Sequence, residues 1–171
     1  LLNRTALHEH LEVALSAGGN LAVMFIDFDG FKEVNDHHGH HAGDEVLRVV
    51  ARRLRNAVRG TEEVGRYGGD EFVVVCSDVS PETVASLRGR VEGVLGETVH
   101  FDASLWRPEA SIGVAIAEDD DTVTSLLRRA DADMYRVKKS KASRRRPEPP
   151  AATNDAEPDA ARGRPAPPAP P

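Results

Sequence analysis

A single cysteine in 171 residues leaves no partner for a disulfide within the chain and excludes a cysteine-based zinc cluster. Long apolar runs are missing as well. The longest, residues 21–26, falls far short of the roughly 20 residues that a membrane helix needs. No charged-then-apolar start resembles a signal peptide, so the expectation is a soluble, cytoplasmic fragment with no membrane partner. Neither a Gly-x-x-x-x-Gly-Lys-Ser/Thr phosphate loop nor a Gly-x-Gly-x-x-Gly fingerprint is present. Basic charge is not in excess: 22 Lys and Arg face 28 Asp and Glu, a net charge of −6 that argues against a nucleic-acid partner. What remains is a length suited to one domain and a hydrophobic content of 40%, enough for a packed core.

The charge is unevenly spread. Residues 1–135 carry 13 basic and 24 acidic side chains, whereas residues 136–146 carry seven basic and no acidic ones. Nine of the 11 prolines lie in residues 147–171, a stretch without Leu, Ile, Val, Met or aromatic residues. Such a segment cannot bury enough apolar surface to offset chain entropy, and it reads as a disordered Pro/Ala-rich tail behind a domain of residues 1–146.

Within that domain, Leu7, Leu11 and Leu15 mark a helix over residues 4–17, ended by Gly18-Gly19. Residues 21–28 form a continuous apolar run, the pattern of a buried central strand. A short helix or turn over 31–36 precedes a polar stretch and a clear helix over 42–58, with Val46, Val49, Val50, Leu54 and Ala57 on one face. Residues 63–67, the Gly68-Gly69 pair and residues 70–76 read as a β-hairpin, with Cys76 in the core. Pro81 opens a helix to about residue 95. A short strand over 99–103, a strand over 109–117 and a helix over 122–139 complete the order. This predicts an α/β (α+β) fold: a central, mainly antiparallel sheet flanked by helices, of ferredoxin-like or polymerase-palm type.

Two acidic clusters fall at strand ends: Asp27 with Asp29, and Asp70 with Glu71. Carboxylates that directly follow a buried apolar strand are costly unless they emerge at its end or meet a cation. Alone, each cluster reads as solvated turn acids. If the two strands are neighbours, Asp27 and Asp70 converge into the all-oxygen site that Mg²⁺ favours. Asn35 and Asp44 offer groups that match a guanine edge, although Asp44 equally suits a helix start. The run of histidines at 37, 38, 40 and 41 reads as exposed rather than zinc-binding.

At Arg66-Tyr67-Gly68-Gly69-Asp70-Glu71-Phe72 the chain resembles the GGDEF domain of the diguanylate cyclase family. The likeness extends to Leu1-Leu2-Asn3-Arg4, to the run from Asp27 through Asp36, to Gly39-His40, Gly43-Asp44 and Leu47, to Ser111 through Ala115, and to Ala130-Asp131 with Met134-Tyr135. It implies a nucleotidyltransferase that condenses two GTP into cyclic di-GMP and two pyrophosphates, with two domains facing each other as a homodimer. It further implies Mg²⁺, or Mn²⁺ in its place, on Asp27, Asp70 and the Phe28 carbonyl. Asn35 and Asp44 would read guanine with His40 nearby, and Phe31 and Lys32 would lie near the triphosphate. Gly68 and Gly69 would let the hairpin approach the nucleotide, Lys138 would neutralise phosphate, and Asp70 or Glu71 would activate the 3′-hydroxyl.

The chain departs from the family pattern at three places. The feedback motif Arg-x-x-Asp reads Arg59 to Glu62 here, a degenerate inhibitory site. The second cation of the last helix is replaced by Ala142, which leaves Lys141 or Arg144 as substitutes. The usual Asp-x-Leu-Thr-Gly lead-in is absent, from which a larger parent protein with an upstream sensor or dimerisation segment is expected. The competing expectations are a catalytically weak or inactive domain that senses GTP or cyclic di-GMP, and a palm-like nucleotidyltransferase with another product.

Overall fold

The computed structural model describes residues 1–101 and 104–145. Ten elements follow in order: α1 (Arg4–Ala17), β1 (Ala22–Asp29), α2 (Phe31–Ala57), β2 (Glu62–Gly68), β3 (Glu71–Cys76), α3 (Pro81–Leu95), β4 (Val99–Phe101), β5 (Ser104–Trp106), β6 (Glu109–Ile116) and α4 (Val123–Arg145). The main sheet runs β2-β3-β1-β6 and every pairing in it is antiparallel; β4 and β5 form a separate two-stranded ribbon. The predicted mixed fold with helices over an antiparallel sheet is the observed one. The tail of residues 147–171 lies outside the described residues, as do Asp102 and Ala103 of the strand expected over 99–103.

The apolar run of β1 has no polar face because the sheet is covered on both sides. Met24, Ile26 and Phe28 point toward α2 and α3 with Phe72, Val74 and Cys76. Val23 and Phe25 point toward α1 and α4 with Val73 and Val75. Successive side chains of a strand alternate between faces, so a strand in the middle of such a sandwich must be apolar throughout. Each fully buried Leu or Val contributes about 1.5–3 kcal/mol relative to exposure. The Cys76 thiol is fully buried, and burial first, with Glu62 adding and Arg90 opposing, pushes it up to about 12.

Local signals explain the helix boundaries. The Asn3 side chain caps α1 by accepting from the Ala6 N–H at 2.9 Å. Ser80 and Thr83 cap α3 reciprocally, with Pro81 in the first turn. The helix α2 is longer than the expected 42–58 segment. The polar stretch expected as a loop continues the helix, except at Gly39, whose φ of 82° and ψ of 163° break it into two pieces. The histidine run therefore lies along a helix rather than in a loop, and the His38 ring meets Phe101 edge-on at 5.2 Å.

The approach to α4 is fixed by Asp121. Its carboxylate accepts from the Ser125 hydroxyl at 2.6 Å and the Glu118 N–H at 3.0 Å, and it pairs with Arg129. Burial raises its proton affinity, but the hydrogen bonds and Arg129 outweigh this and hold its pKa below the ordinary carboxylate value. A depressed carboxylate pKa contributes stability above the unfolded value of about 3.9, and this is lost as pH falls through the folded value. Asp121→Asn is expected to cost about 1–3 kcal/mol at pH 7. The difference from wild type should shrink as pH falls from about 4 through the depressed folded value, below which the wild-type carboxylate is itself protonated. Urea melts at the two pH values measure this, and a cost independent of pH would contradict it.

Candidate functional site

The alternation that buries Phe25 also places Asp27 and Asp29 on the α4 side of the sheet, at the end of β1. Asp27 stands opposite Glu71 of β3 and Ser111 of β6. Its side chain is only 14% exposed and pairs with the Lys138 ammonium from α4. Asp29, 9% exposed, accepts from the fully buried Ser111 hydroxyl at 2.9 and 3.0 Å. Lys141 reaches the same carboxylate at 3.3 Å and the Ala110 carbonyl at 2.5 Å. Two lysines one turn apart thus meet two carboxylates two residues apart. Phe28, between those carboxylates, turns inward and packs edge-on against Phe72 at 6.0 Å.

The β2–β3 turn brings Asp70 and Glu71 to the same end of the sheet. Of the glycine pair only Gly69 has a positive φ, 45°; Gly68 closes β2, where the register shifts between Arg66 and Gly68. Arg66 donates twice to the Gly69 carbonyl, at 2.7 and 3.0 Å, which fastens the turn. The Asp70 pKa is raised, by burial first; Asp27 adds to this, while a backbone hydrogen bond, Lys138 and Arg66 oppose it. Glu71 is likewise raised, by burial first and then by Asp27, Asp70 and Asp131, with Arg4 opposing. For Lys138 burial works toward a lower pKa, but Asp27, Asp29 and Asp70 overcome it and hold the ammonium above its ordinary value. These mutual effects place Asp27, Asp70, Glu71 and Lys138 in one electrostatic cluster.

A cavity of about 760 Å³ opens beside the hairpin, lined among others by Asp44 and Leu47 of α2, Arg66, Gly68, Gly69 and Phe72. Asp44 stands exposed on α2 at its wall. Asn35 lies against Gly43: a Cβ at Gly43 would be 2.1 Å from the Asn35 Oδ1. Gly43 is therefore what lets the two pieces of α2 bring Asn35 near Asp44. Phe31 is buried and packs on Trp106 at 6.1 Å, whereas Lys32 and His40 stand exposed on α2.

Glu62 accepts from the Arg59 backbone N–H at 2.6 Å and pairs with Arg90 of α3 at 2.6 Å. Arg90 was not singled out by the sequence, because a partner 28 residues away on another element leaves no local signal. Trp106, unreadable in sequence, sits between Phe28 and Phe31 at 6.0 and 6.1 Å. Among the described residues, no group of three His, Cys, Asp or Glu side chains gathers as a metal cluster. The side chains gathered at the strand ends are instead the carboxylates of Asp27, Asp29, Asp70 and Glu71, oxygen donors of the kind that suit a hard cation completing its shell with water and phosphate. Among the described residues no helix is long and apolar enough to cross a membrane.

A family model described as diguanylate cyclase, GGDEF domain, matches residues 1–144. The chain is 38% identical over 143 residues to the bifunctional diguanylate cyclase/cyclic di-GMP phosphodiesterase MucR of Pseudomonas aeruginosa, covering 81% of this chain and 21% of that protein. It is 37% identical over 147 residues to the diguanylate cyclase DgcP of Escherichia coli, covering 82% of this chain and 43% of that protein. The crystal structure of a sensory box/GGDEF family protein from Caulobacter crescentus aligns with a TM-score of 0.76 at 42% identity, covering 82% of this chain and 94% of that one. The chain thus spans less than half the length of these two curated relatives.

Proposed function

The chain belongs to the GGDEF, diguanylate cyclase, family, and from that premise we propose that it condenses two GTP into cyclic di-GMP and two pyrophosphates, as a pair of facing domains. The observation that carries this reading is the meeting of Asp27, Asp70, Glu71 and Lys138 at one end of the sheet, beside the cavity walled by Asp44, Gly68 and Gly69. Asp27, Asp70 and the Phe28 carbonyl would hold Mg²⁺ or Mn²⁺, which would neutralise phosphate charge and lower the pKa of the attacking hydroxyl. Asp44 accepts from the guanine N1–H and N2–H₂, and Asn35 supplements it. Lys138 turns from Asp27 to phosphate. Each 3′-oxygen attacks the α-phosphorus of the facing nucleotide, the bond to the β-phosphate oxygen breaks, and pyrophosphate leaves. The hydroxyl proton passes to Asp70 or Glu71.

Incubation with GTP and Mg²⁺, followed by chromatography, should yield cyclic di-GMP without EDTA and none with it. No product at high protein concentration, from protein shown to be folded, would overturn the reading. Because two domains must meet, the rate should rise faster than linearly with protein concentration. Strict proportionality across the dilution series would point to a pair that is already formed.

Gly43→Ala separates guanine recognition from folding. The added methyl meets the Asn35 Oδ1 at 2.1 Å and its Cγ at 3.0 Å, with Phe31 Cζ at 3.2 Å; all three are side-chain atoms, so the Asn35 side chain swings away rather than the backbone. Moving Asn35 off the base is expected to raise KM for GTP about tenfold, the loss of roughly one good base contact, while kcat stays within about threefold. Initial rates across GTP concentration measure it, and an unchanged KM would remove Asn35 from base reading.

A second reading, a domain that binds GTP or cyclic di-GMP without turnover, is favoured by Ala142, which puts a methyl beside Lys138 and Lys141 where the family carries a cation. Calorimetry that finds tight nucleotide binding with no product would select it.

A further inference from the structure

The residue at 142 carries no charge, and the structure shows what the neighbouring cation does instead. Lys141 is held at both ends of a small lock. Its ammonium donates to the Ala110 carbonyl at 2.5 Å and to Asp29 at 3.3 Å, and Asp29 is itself fixed by the fully buried Ser111 hydroxyl. These contacts tie α4 to the ends of β1 and β6. One turn back along α4, Lys138 pairs with Asp27. Both lysines line a cavity of about 330 Å³ with Asp29, Gly30 and Ala142, at the mouth of the carboxylate cluster.

We propose that Lys141 is a positioning residue for the reaction: by clamping α4 to Asp29 and Ala110, it delivers the Lys138 ammonium to the phosphate side of the site. Lys138 is 41% exposed and sits on a long flexible stem, so its free side chain would otherwise sample many rotamers. A lysine loses rotamer freedom when fixed, so a helix already docked in register spares the further cost of placing the backbone that carries it. Lys141 spends its own donors on Asp29 and Ala110 rather than on substrate, and its influence on phosphate runs through Lys138. This inference rests on the proposed reading of the site as a GTP site.

The test is a double-mutant cycle on the full chain, read by calorimetric binding of the α,β-methylene analogue of GTP, which cannot be turned over, and of GMP. Lys141→Met is expected to weaken analogue binding about tenfold and GMP binding less than about twofold. In a Lys138→Ala background the same change is expected to cost no more than about twofold, because there is no ammonium left to position. Lys141→Arg should restore most of the lost affinity. Amide hydrogen exchange of Lys141→Met should rise across residues 138–144 and stay at wild-type rates in β1 and β3. Additive losses in the two backgrounds would overturn the proposal in favour of a direct Lys141–phosphate contact. Unchanged analogue binding would overturn it in favour of a purely structural clamp, whatever the exchange rates show. A wild-type protein that binds neither ligand would instead overturn the reading of the site as a GTP site, an outcome that the exchange data cannot produce.

Discussion

Asp70→Ala is expected to lower cyclic di-GMP formation by at least about a thousandfold while leaving the fold intact. Charge neutralisation at a transferring phosphoryl group is worth several kcal/mol, and each 1.36 kcal/mol is a factor of ten in rate. The stability of the variant should move in the opposite direction from its activity. Burial and Asp27 together raise the Asp70 pKa. A carboxylate whose folded pKa lies above its unfolded value weakens the fold at any pH where it is ionised, and this penalty fades as pH falls through the folded value. Removing it should leave the melting temperature in EDTA at neutral pH equal to or above that of wild type, a trade of stability for function common at active sites. Thermal melts in EDTA and initial rates in Mg²⁺ check the two halves separately. A rate within tenfold of wild type would remove Asp70 from the metal and proton chemistry.

The largest expected loss of stability comes from a residue with no polar atom in its side chain. Gly113 of β6 lies beneath α4, and a Cβ there would be 2.0 Å from the Met134 amide nitrogen and 2.2 Å from the Ala130 carbonyl oxygen. Both are backbone atoms of a helix, so no side chain can swing aside to make room. Gly113→Ala is expected to cost about 3 kcal/mol or more, at the upper end for overpacking. It should also push α4 off the sheet and carry Lys138 away from Asp27. Denaturant titration gives the first effect, and loss of nucleotide binding by any protein that still folds gives the second. A variant as stable as wild type would show that α4 docks more loosely than the contacts of Ala130 and Met134 imply.

Elements built from local patterns were legible in the sequence. The double-sided apolar run of β1, the leucine stripe of α1 and the Pro81 start of α3 each depend on residues within a few positions of one another, and each appears where expected. Where one glycine mattered more than composition, the reading slipped. The polar, histidine-bearing stretch before residue 42 looked like a loop, but it is helix broken only at Gly39. The β4–β5 ribbon has strands of three residues, too short for alternation to show, and its Trp106 takes its place from Phe28 and Phe31 rather than from neighbours in sequence. In the candidate site, the acidic residues stood out because carboxylates ending an apolar strand are conspicuous. Their pairings did not, although Lys138 itself is expected beside phosphate. Lys138 is 111 residues from Asp27, Ser111 is 82 from Asp29 and Arg90 is 28 from Glu62. Such pairings depend on sheet order and helix placement, which no short window of sequence contains.

The burial of Cys76 gives the molecule a built-in clock. Only the thiolate reacts readily with alkylating reagents, and this thiol is both fully enclosed and pushed up to about 12. It sits at the end of β3, hydrogen-bonded in register between Ala22 of β1 and Glu62 of β2. Its side chain faces the layer filled by α2 and α3, so a maleimide cannot reach it without lifting those helices off the sheet. The rate of its modification counts openings of the protein interior.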